Sequence, residues 1–319
     1  MIKVAVLRGG TGDEHEVSLK TGANVLENLG KRHQAVDVFI DKKGEWHVRG
    51  IPMAPERALT SIDVVFNALH GQYGEDGTVQ KVLDRIGIPY TGSGAFPSAV
   101  AMNKILTKEA LEKHGIKTPR HVVLRVSADL EKEASELFRT FPQPSIIKPA
   151  SSGSSVGVTL AKSFQEFWDG IKKAFAHSPQ VIVEEYIKGR EGTCGVVEGL
   201  RGSACYQLIP VEIVPPKERT FFDYEAKYGG ASTERCPGNF TREETTEMQR
   251  LAQLAHEKLG LRHYSRSDFI VSPKGVYFLE VNTLPGLTNE SLLPKSLSAV
   301  GVSMDEFLDH LLHMALEKR

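Results

Sequence analysis

The 319-residue sequence contains few cysteines, no long apolar run and no excess of charge of either sign. Its cysteines are Cys194, Cys205 and Cys236, an odd number without metal-ligand spacing. That count implies no disulfide framework and fits a reducing compartment. No apolar run approaches the roughly 20 residues of a membrane span, and the opening run, residues 1–7, is too short for a signal peptide. We therefore expect a cytoplasmic protein with no membrane partner.

The formal net charge is −1 at pH 7. A chain so close to neutrality has no basic field to attract nucleic acid and no acidic excess typical of disordered segments. Hydrophobic residues make up 40% of the sequence, which is ample for a buried core, and the length suits two or three domains. The composition predicts a globular protein that does not bind nucleic acid.

Alternating strand and helix patterns in about the first 90 residues predict a βαβ series with a mostly parallel sheet. The predicted strands are 3–7, 35–40, 64–68 and 89–90, and the predicted helices are 16–29 and 78–86. Ligands of such sheets bind at the carboxyl ends of the strands.

After residue 92, the hydrophobic pattern predicts a compact α+β unit from about 93 to 183, followed by further strands and helices. Predicted helices are 99–114, 164–176, 242–259 and 304–318, and predicted strands are 120–124, 145–148, 157–160, 181–184, 192–198 and 204–214, with a hairpin over 264–282. The polar stretch 215–240 has no periodicity, which is typical of a lid or binding loop.

The first predicted strand ends in Gly9-Gly10-Thr11-Gly12-Asp13-Glu14, which matches only half of a dinucleotide-binding fingerprint. His15 stands at the third glycine position, and the two carboxylates would repel a pyrophosphate. A dehydrogenase is therefore excluded, and the acidic loop favours a cationic ligand such as an amine. Capping of the following helix by the same carboxylates is an alternative that can coexist with binding.

The hairpin over 264–282 predicts a metal site. A three-residue Pro273-Lys274-Gly275 connection would oppose particular pairs: Ser272 with Val276, Ile270 with Phe278, Asp268 with Glu280, and Arg266 with Asn282. The other face would carry Phe269, Val271, Tyr277, Leu279 and Val281. Directly opposed carboxylates cost roughly 0.2–1 kcal/mol without a cation between them. Two carboxylates and an amide oxygen suit magnesium shared with nucleotide phosphates. An ordinary solvated hairpin face is the alternative that these residues alone leave open.

Other segments predict phosphate, nucleotide and carboxylate contacts. Lys148 ends a buried-type strand before the Ser/Gly-rich segment 150–157, which favours a phosphate cradle over a flexible turn, although it is not a Walker A motif. Backbone groups where the strand 181–184 ends could bind adenine, and the Glu191 carboxylate could accept from ribose hydroxyls. Gly286 and Ser291 follow the hairpin and could hold an oxyanion or carboxylate. His70 follows the strand 64–68, where a turn histidine without function is the alternative.

Together the segments resemble the D-alanine:D-alanine ligase family of the ATP-grasp superfamily, in the family's order and over nearly the full length. They are Gly9-Gly10-Thr11 with Glu14, His70-Gly71 with Gly74-Glu75-Asp76-Gly77, Tyr90-Thr91-Gly92-Ser93-Gly94, Lys148-Pro149 with Gly153-Ser154-Ser155-Val156-Gly157, Asp223-Tyr224-Glu225-Ala226-Lys227-Tyr228, Arg266-x-Asp268 and Glu280-x-Asn282-Thr283-x-Pro285-Gly286. The resemblance implies an α/β and α+β chain with an ATP-grasp fold. Its expected parts are a Rossmann-like parallel-sheet domain for substrate at 1–92, a small ATP-grasp domain at 93–183, and a domain with the magnesium site and lid at 184–319.

The resemblance also implies the chemistry, in which ATP activates one D-alanine as an acyl phosphate and the amine of a second D-alanine attacks it. Its implied cofactors are ATP and two Mg²⁺ ions, with Mn²⁺ as a substitute, and we expect a homodimer. The implied catalytic residues are Glu14, Ser154, Tyr228, Arg266 and Gly286, and the implied substrate contacts are His70, Ser291 and Leu292. The implied nucleotide contacts are Lys104, Lys148, Ser155, Glu184, Glu191 and Lys227, and the implied metal ligands are Asp268, Glu280 and Asn282.

Tyr228 favours an amine nucleophile, because related enzymes that make the D-lactate depsipeptide lack that tyrosine in the lid. Glu185 departs from the family, since a lysine is often found there beside the adenine, and the segment 229–232 is atypical. Two alternatives stay open: a ligase for another D-amino or D-hydroxy acid pair, and a nucleotide-binding regulator without turnover.

Overall fold

The computed structural model describes residues 1–29, 32–151, 153, 156–215 and 233–317. Four predicted site residues, Ser154, Ser155, Lys227 and Tyr228, lie outside the described residues. Every helix in the described ranges is too short or too polar to cross a membrane.

The first sheet has the strand order β4-β3-β2-β1-β5. Its strands are β1 (Lys3–Gly9), β2 (Gln34–Ile40), β3 (Trp46–Val48), β4 (Ile51–Met53) and β5 (Val64–Asn67), and its helices are α1 (His15–Leu29), α2 (Pro55–Ala58) and α3 (Thr78–Ile86). The predicted parallel pairing is confirmed, because β1 lies parallel to both β2 and β5. The short antiparallel strands β3 and β4 were not predicted. The predicted strand 89–90 is only an isolated bridge between Val65 and Tyr90.

The second sheet is antiparallel throughout, in the order β6-β9-β7-β8. Its strands are β6 (His121–Arg125), β7 (Ser145–Pro149), β8 (Thr159–Ala161) and β9 (Gln180–Glu185), and the helices of this region are α4 (Ala95–Met102), α5 (Lys104–Glu112), α6 (Leu130–Thr140) and α7 (Phe164–Phe175). The single helix predicted at 99–114 is wrong. Asn103 is extended there, with φ −91° and ψ 106°, and its side chain caps α5 by accepting from the N–H groups of Ile105 and Leu106.

The third sheet runs β13-β12-β10-β14-β15, with β11 paired to β10. Its strands are β10 (Arg190–Glu198), β11 (Cys205–Gln207), β12 (Val211–Val214), β13 (Thr233–Arg235), β14 (Tyr264–Ser272) and β15 (Gly275–Asn282), and its helices are α8 (Arg242–Lys258), α9 (Leu292–Ala299) and α10 (Met304–Leu316). The predicted strand 204–214 is two strands, because the chain leaves the ladder before Pro210, which cannot donate a backbone hydrogen bond.

The β14–β15 hairpin corrects part of the predicted register. Ser272 pairs with Gly275, so only Pro273 and Lys274 form the turn, and Ile270 pairs with Tyr277 and not with Phe278. An irregularity between Asp268 and Phe269 then restores the predicted pairing of Asp268 with Glu280 and of Arg266 with Asn282. Consequently the core face carries Val276 and Phe278 beside Phe269, Val271 and Val281, and the placement of Tyr277 and Leu279 there was wrong.

One hydrophobic core joins the beginning and the end of the chain. Val4, Val6 and Phe66 from the first sheet pack in the same cluster as Phe307 and Leu311 of α10. Leu284 and Leu287, from the loop after β15, belong to this cluster as well. This packing holds the carboxyl ends of β1 and β5 beside the loop that leaves β15, so the loops that carry Glu14, His70 and Gly286 meet there.

Candidate active site

His70 connects the loop after β5 to the loop after β15. Its Nδ1 lies 2.9 Å from the carbonyl oxygen of Leu284, and its Nε2 lies 2.7 Å from the hydroxyl of Thr21. The Leu284 carbonyl can only accept, so Nδ1 carries the proton and Nε2 can accept from Thr21 in the neutral ring. The buried imidazole therefore holds two loops at fixed separation, which argues against a turn histidine without a role.

Glu14 lies between two glycine-containing loops. A Cβ atom at either Gly71 or Gly153 would collide with the Glu14 carboxylate oxygen Oε2, so glycine at both positions lets the carboxylate enter the gap. A cavity of about 190 Å³ adjoins it, lined in part by Asp13, Glu14 and Gln72. This acidic cavity at the carboxyl end of the first sheet fits the ammonium ligand that the sequence predicts. Ser154 and Tyr228, the implied partners of Glu14, are among the residues not described.

Glu75 is a further carboxylate in this region that the sequence did not single out as a site residue. Its Oε1 lies 3.7 Å from Nδ1 of His70. Burial raises the pKa of Glu75 to about 7, and the nearby charge of Glu14 adds to this, while His70 and Arg266 act in the opposite direction. Its position in Gly74-Glu75-Asp76-Gly77, at the end of a parallel strand, was the available signal.

We expect the stability of the protein to depend on the ionisation of Glu75. The pKa is about 7 in the folded state, against 4.5 as the ordinary value, so the folded state binds this proton more tightly. Stability therefore falls as pH rises from 4.5 to 7. Relative to Glu75→Gln, the free energy of unfolding of the wild type should fall by about 2–3 kcal/mol between pH 5 and pH 8. Urea unfolding of both proteins across this range measures the difference; a difference that stays constant would contradict the raised pKa.

Asp268 of the β14–β15 hairpin accepts hydrogen bonds from three neighbouring side chains. It is 5% exposed and accepts from the Thr193 hydroxyl at 2.6 Å. Arg266 donates to it through Nε and Nη2 at 2.9 and 3.0 Å, and the Asn282 amide nitrogen donates at 3.2 Å. These donors fix the orientation of the carboxylate. With Asn282 donating through nitrogen, its amide oxygen is oriented away from Asp268 and can serve as a ligand.

Glu280, opposite Asp268, forms an ion pair with Lys104, whose Nζ lies 3.2 Å from Oε2. Lys104 is 8% exposed and is the first residue of α5, so the break at Asn103 aims a buried lysine at the hairpin. The two opposed carboxylates thus have basic partners within the protein. Two carboxylates and one amide oxygen form a hard donor set, and this chemistry fits Mg²⁺ or Mn²⁺.

A buried carboxylate with two lysines lies at the centre of the second sheet. The Glu184 carboxylate forms two ion pairs. The Lys148 Nζ lies 2.9 Å from one oxygen, and the Lys108 Nζ lies 3.0 Å from the other. Burial would raise the pKa of Glu184, but the two ammonium groups hold it below its ordinary value. Burial lowers the pKa of Lys108, because it disfavours the charged ammonium form. Lys108 was missed, although it stands four residues after Lys104 and so on the same helix face.

A cavity of about 240 Å³ lies between the second and third sheets. The predicted nucleotide and metal residues that line it are Lys104, Lys148, Glu184, Glu191, Asp268 and Glu280. Apolar walls are formed by Ile146, Ile187, Ile213, Ile270 and Leu279. An apolar slot that ends in lysines and carboxylates is suited to a planar base at one end and phosphates at the other. Glu185 also lines it, and its carboxylate accepts from the Arg120 N–H at 2.9 Å.

The loop after β15 places Gly286 against Ser291. A Cβ at Gly286 would lie 2.8 Å from the Ser291 hydroxyl oxygen, and that hydroxyl accepts from the Thr288 N–H at 3.1 Å. Ser291 is the residue before α9, and Leu292 is its first residue. The Leu292 N–H thus belongs to a helix amino terminus, a favourable place for a carboxylate. The sequence did not predict α9, so it missed the helix amino terminus at Leu292.

Comparisons with known proteins match the chain to one family over nearly its full length. The family models described as D-ala D-ala ligase N-terminus and D-ala D-ala ligase C-terminus match residues 3–56 with 49–93 and residues 110–313, respectively. A D-alanine–D-alanine ligase from Syntrophotalea carbinolica is 39% identical over 97% of this chain and 95% of its own. One from Desulfotalea psychrophila is 40% identical over 99% and 96%. The crystal structure of the VanG D-Ala:D-Ser ligase from Enterococcus faecalis aligns with a TM-score of 0.84 at 30% identity, covering 98% of this chain and 99% of that one.

Proposed function

Because the chain belongs to the D-alanine–D-alanine ligase family and has its ATP-grasp fold, we propose that it joins two D-alanines into D-alanyl-D-alanine with ATP, for peptidoglycan precursor synthesis. One observation carries the proposal: the hairpin that bears Asp268 and Glu280 also bears Arg266, beside a lysine-lined cavity. Nucleotide and acyl groups can meet at that hairpin. A regulator that only binds nucleotide would not need the substrate-side residues, so their presence in the sequence favours an enzyme.

The reaction needs activation because a carboxylate is a poor electrophile in water. The carboxylate oxygen of the first D-alanine attacks the γ-phosphorus of ATP, which gives an acyl phosphate and releases ADP. The amine of the second D-alanine then attacks the acyl carbon, loses a proton and expels inorganic phosphate. Both steps concentrate negative charge at the hairpin, where fixed positive groups are worth most.

On the nucleotide side, Lys104 and Lys148 would contact phosphates, with Ser155 and Lys227 as further contacts outside the described residues. Glu184 and Glu191 would contact adenine and ribose. Asp268, Glu280 and Asn282 would hold two Mg²⁺ ions, which when bound neutralise phosphate charge. The donor set described above supports this assignment.

On the substrate side, Glu14 would bind the ammonium group of the first D-alanine, within a triad with Ser154 and Tyr228. Arg266 and the Gly286 N–H would stabilise the oxyanion of the tetrahedral intermediate. Ser291 and the Leu292 N–H would hold the carboxylate of the second substrate, next to the loop that His70 fixes. The meeting of these loops in one core supports this arrangement.

We expect Lys148→Met to weaken use of ATP while leaving the fold intact, because Lys108 still neutralises Glu184. A hydrogen bond from a charged donor contributes about 1.5–3 kcal/mol, so kcat/KM for ATP should fall about 10- to 100-fold. Initial rates against ATP concentration measure this. Lys172→Met is the matched control, since Lys172 forms an exposed ion pair with Asp169. Equal values for the wild type and Lys148→Met would contradict the phosphate assignment.

A second candidate function is the joining of D-alanine to a different second substrate. The structural similarity to a D-Ala:D-Ser ligase favours considering it, while Tyr228 favours D-alanine over a D-hydroxy acid. Reactions with D-alanine, ATP and Mg²⁺ plus D-serine or D-lactate, analysed by mass spectrometry, separate these cases. We expect D-alanyl-D-alanine as the main product; a mixed product in excess would establish the second candidate.

We further propose that the three sheets define three parts, residues 1–92, 93–183 and 184–319, and that the enzyme is a cytoplasmic homodimer. The distribution of β1–β5, β6–β9 and β10–β15 supports the division, although β9 crosses the second boundary. Sedimentation equilibrium of the purified protein tests the dimer through its mass.

A further inference from the structure

Three side chains that commonly bind metals meet where the turn after β2 leads into β3. Asp41, Glu45 and His47 each offer one ligand atom, and these atoms all lie within 4.8 Å of one another. Asp41 and His47 are partly buried, and Glu45 is exposed. None of the three lines the cavity between the second and third sheets or the smaller cavity beside Glu14. The cluster therefore lies outside both cavities of the proposed ligase site.

The turn fixes the orientation of Asp41. Its Oδ1 accepts from the backbone N–H groups of Lys43 and Glu45 at 2.8 and 2.9 Å. The backbone closes the same turn, because the Asp41 N–H donates to the Glu45 carbonyl and the Gly44 N–H to the Asp41 carbonyl, both at 3.0 Å. The carboxylate is thus held with Oδ2 directed at His47.

His47 presents a nitrogen without a hydrogen bond to this carboxylate. Its Nε2 is shielded from solvent and has no hydrogen-bond partner among the described residues. The separation of Nε2 from Asp41 Oδ2 is 3.6 Å, too long for a hydrogen bond. Two ligand atoms on a tetrahedral zinc ion, each about 2.0–2.1 Å from it, lie about 3.4 Å apart. The spacing matches a shared metal ion better than a direct contact, and binding would satisfy the buried nitrogen.

The surroundings hold the imidazole in this position. His47 lies opposite Phe39 in the β2–β3 ladder, with ring centroids 5.7 Å apart. Phe39 in turn packs edge-on against His15, at 5.8 Å. A Cβ at Gly44 would lie 3.4 Å from the methyl group of Thr11. The turn therefore lies against the segment 9–14, which leads to Glu14.

We propose that Asp41, Glu45 and His47 form a second metal site, which binds one transition-metal ion of the zinc class with solvent completing its coordination. The imidazole nitrogen selects Zn²⁺, Co²⁺ or Ni²⁺ over Mg²⁺, which prefers oxygen ligands throughout. Three protein ligands with one open position are a common arrangement for zinc.

The test uses full-length protein stripped with chelator and then titrated with Co²⁺, followed by its visible absorption, and with Zn²⁺ by calorimetry. His47→Gln removes the nitrogen ligand, and His114→Gln, an exposed histidine outside the cluster, is the matched control. Loss of a direct ligand should lower Zn²⁺ affinity at least about 10- to 100-fold, since even outer-sphere changes cost that much. Asp41→Asn should act in the same direction.

The wild type and His114→Gln should each bind one equivalent of metal ion more than His47→Gln does. Binding at the Asp268 and Glu280 hairpin or at a cysteine would be the same in all of these proteins, so it cancels in the comparison. Metal-free melting curves of the variants show whether each is folded. Equal stoichiometry and affinity in the wild type and His47→Gln would overturn the second site. Ligase activity is not part of the readout, so failure here is distinguishable from failure of the proposed function.

Discussion

Glu280→Gln should abolish turnover while the protein stays folded. The carboxylate opposes Asp268 across the hairpin and pairs with Lys104 at 3.2 Å. The amide has nearly the same shape but no charge, so a proposed metal ligand is lost and Lys104 loses its ionic partner. Removing one preorganised group that stabilises transition-state charge costs about 10²–10³ in kcat, and we expect at least this loss. Phosphate release from ATP in the presence of D-alanine and Mg²⁺ measures it.

A matched control separates the site from the loss of any surface charge. Glu136 is an exposed glutamate of α6, and Glu136→Gln should retain wild-type rates. The melting temperature of Glu280→Gln should stay near that of the wild type, because the substitution leaves the β14–β15 core residues unchanged. Retained activity of Glu280→Gln at ordinary Mg²⁺ concentrations would contradict the metal assignment.

Arg266→Lys should lower kcat by about 10²–10³ with little change in KM for ATP. Arg266 holds Asp268 through two parallel hydrogen bonds of 2.9 and 3.0 Å, which a lysine cannot reproduce although it keeps the charge. The proposed role of the guanidinium is to stabilise the oxyanion, which exists only in the acyl-transfer step. The loss should therefore appear in kcat, measured by dipeptide formation at saturating ATP.

Arg250→Lys tests whether the loss of any bidentate arginine–carboxylate pair would lower kcat in the same way. Arg250 donates to Glu247 through Nε and Nη2, both at 2.8 Å, in the same geometry but on the exposed face of α8. This variant should keep wild-type kcat. An unchanged kcat for Arg266→Lys, or an equal loss in both variants, would remove Arg266 from the proposed mechanism.

The register of the two pairs that contain the proposed metal ligands was predictable, but the detail of the hairpin between them and the turn was not. Alternation and turn chemistry correctly opposed Asp268 to Glu280. They gave a three-residue connection in place of the observed two-residue turn, and the irregularity near Phe269 compensated for that error. A bulge has no strong local sequence signal, because it depends on how a whole strand fits its neighbours. Leu279 therefore lines the cavity, where alternation had placed it in the core.

Residues whose roles depend on distant packing were missed for the same reason. The sequence signals of Lys108 and Glu75 were weak, a helical spacing from Lys104 and a glycine-flanked position, and only the fold brings Lys108 to Glu184 and Glu75 to His70. The break at Asn103 was also missed, since its capping role depends on a local choice between helix continuation and a new start. By contrast, the buried parallel strands β1 and β5 were predictable from apolar runs alone.

The most direct test of the central claim is an end-point assay with purified protein, D-alanine, ATP and Mg²⁺, in which dipeptide and ADP are quantified together. The proposed reaction predicts D-alanyl-D-alanine and ADP in equal amounts, with neither formed when D-alanine is omitted. Absence of the dipeptide, whether ATP is left intact or is hydrolysed without it, would contradict the assignment of this chain as a D-alanine–D-alanine ligase.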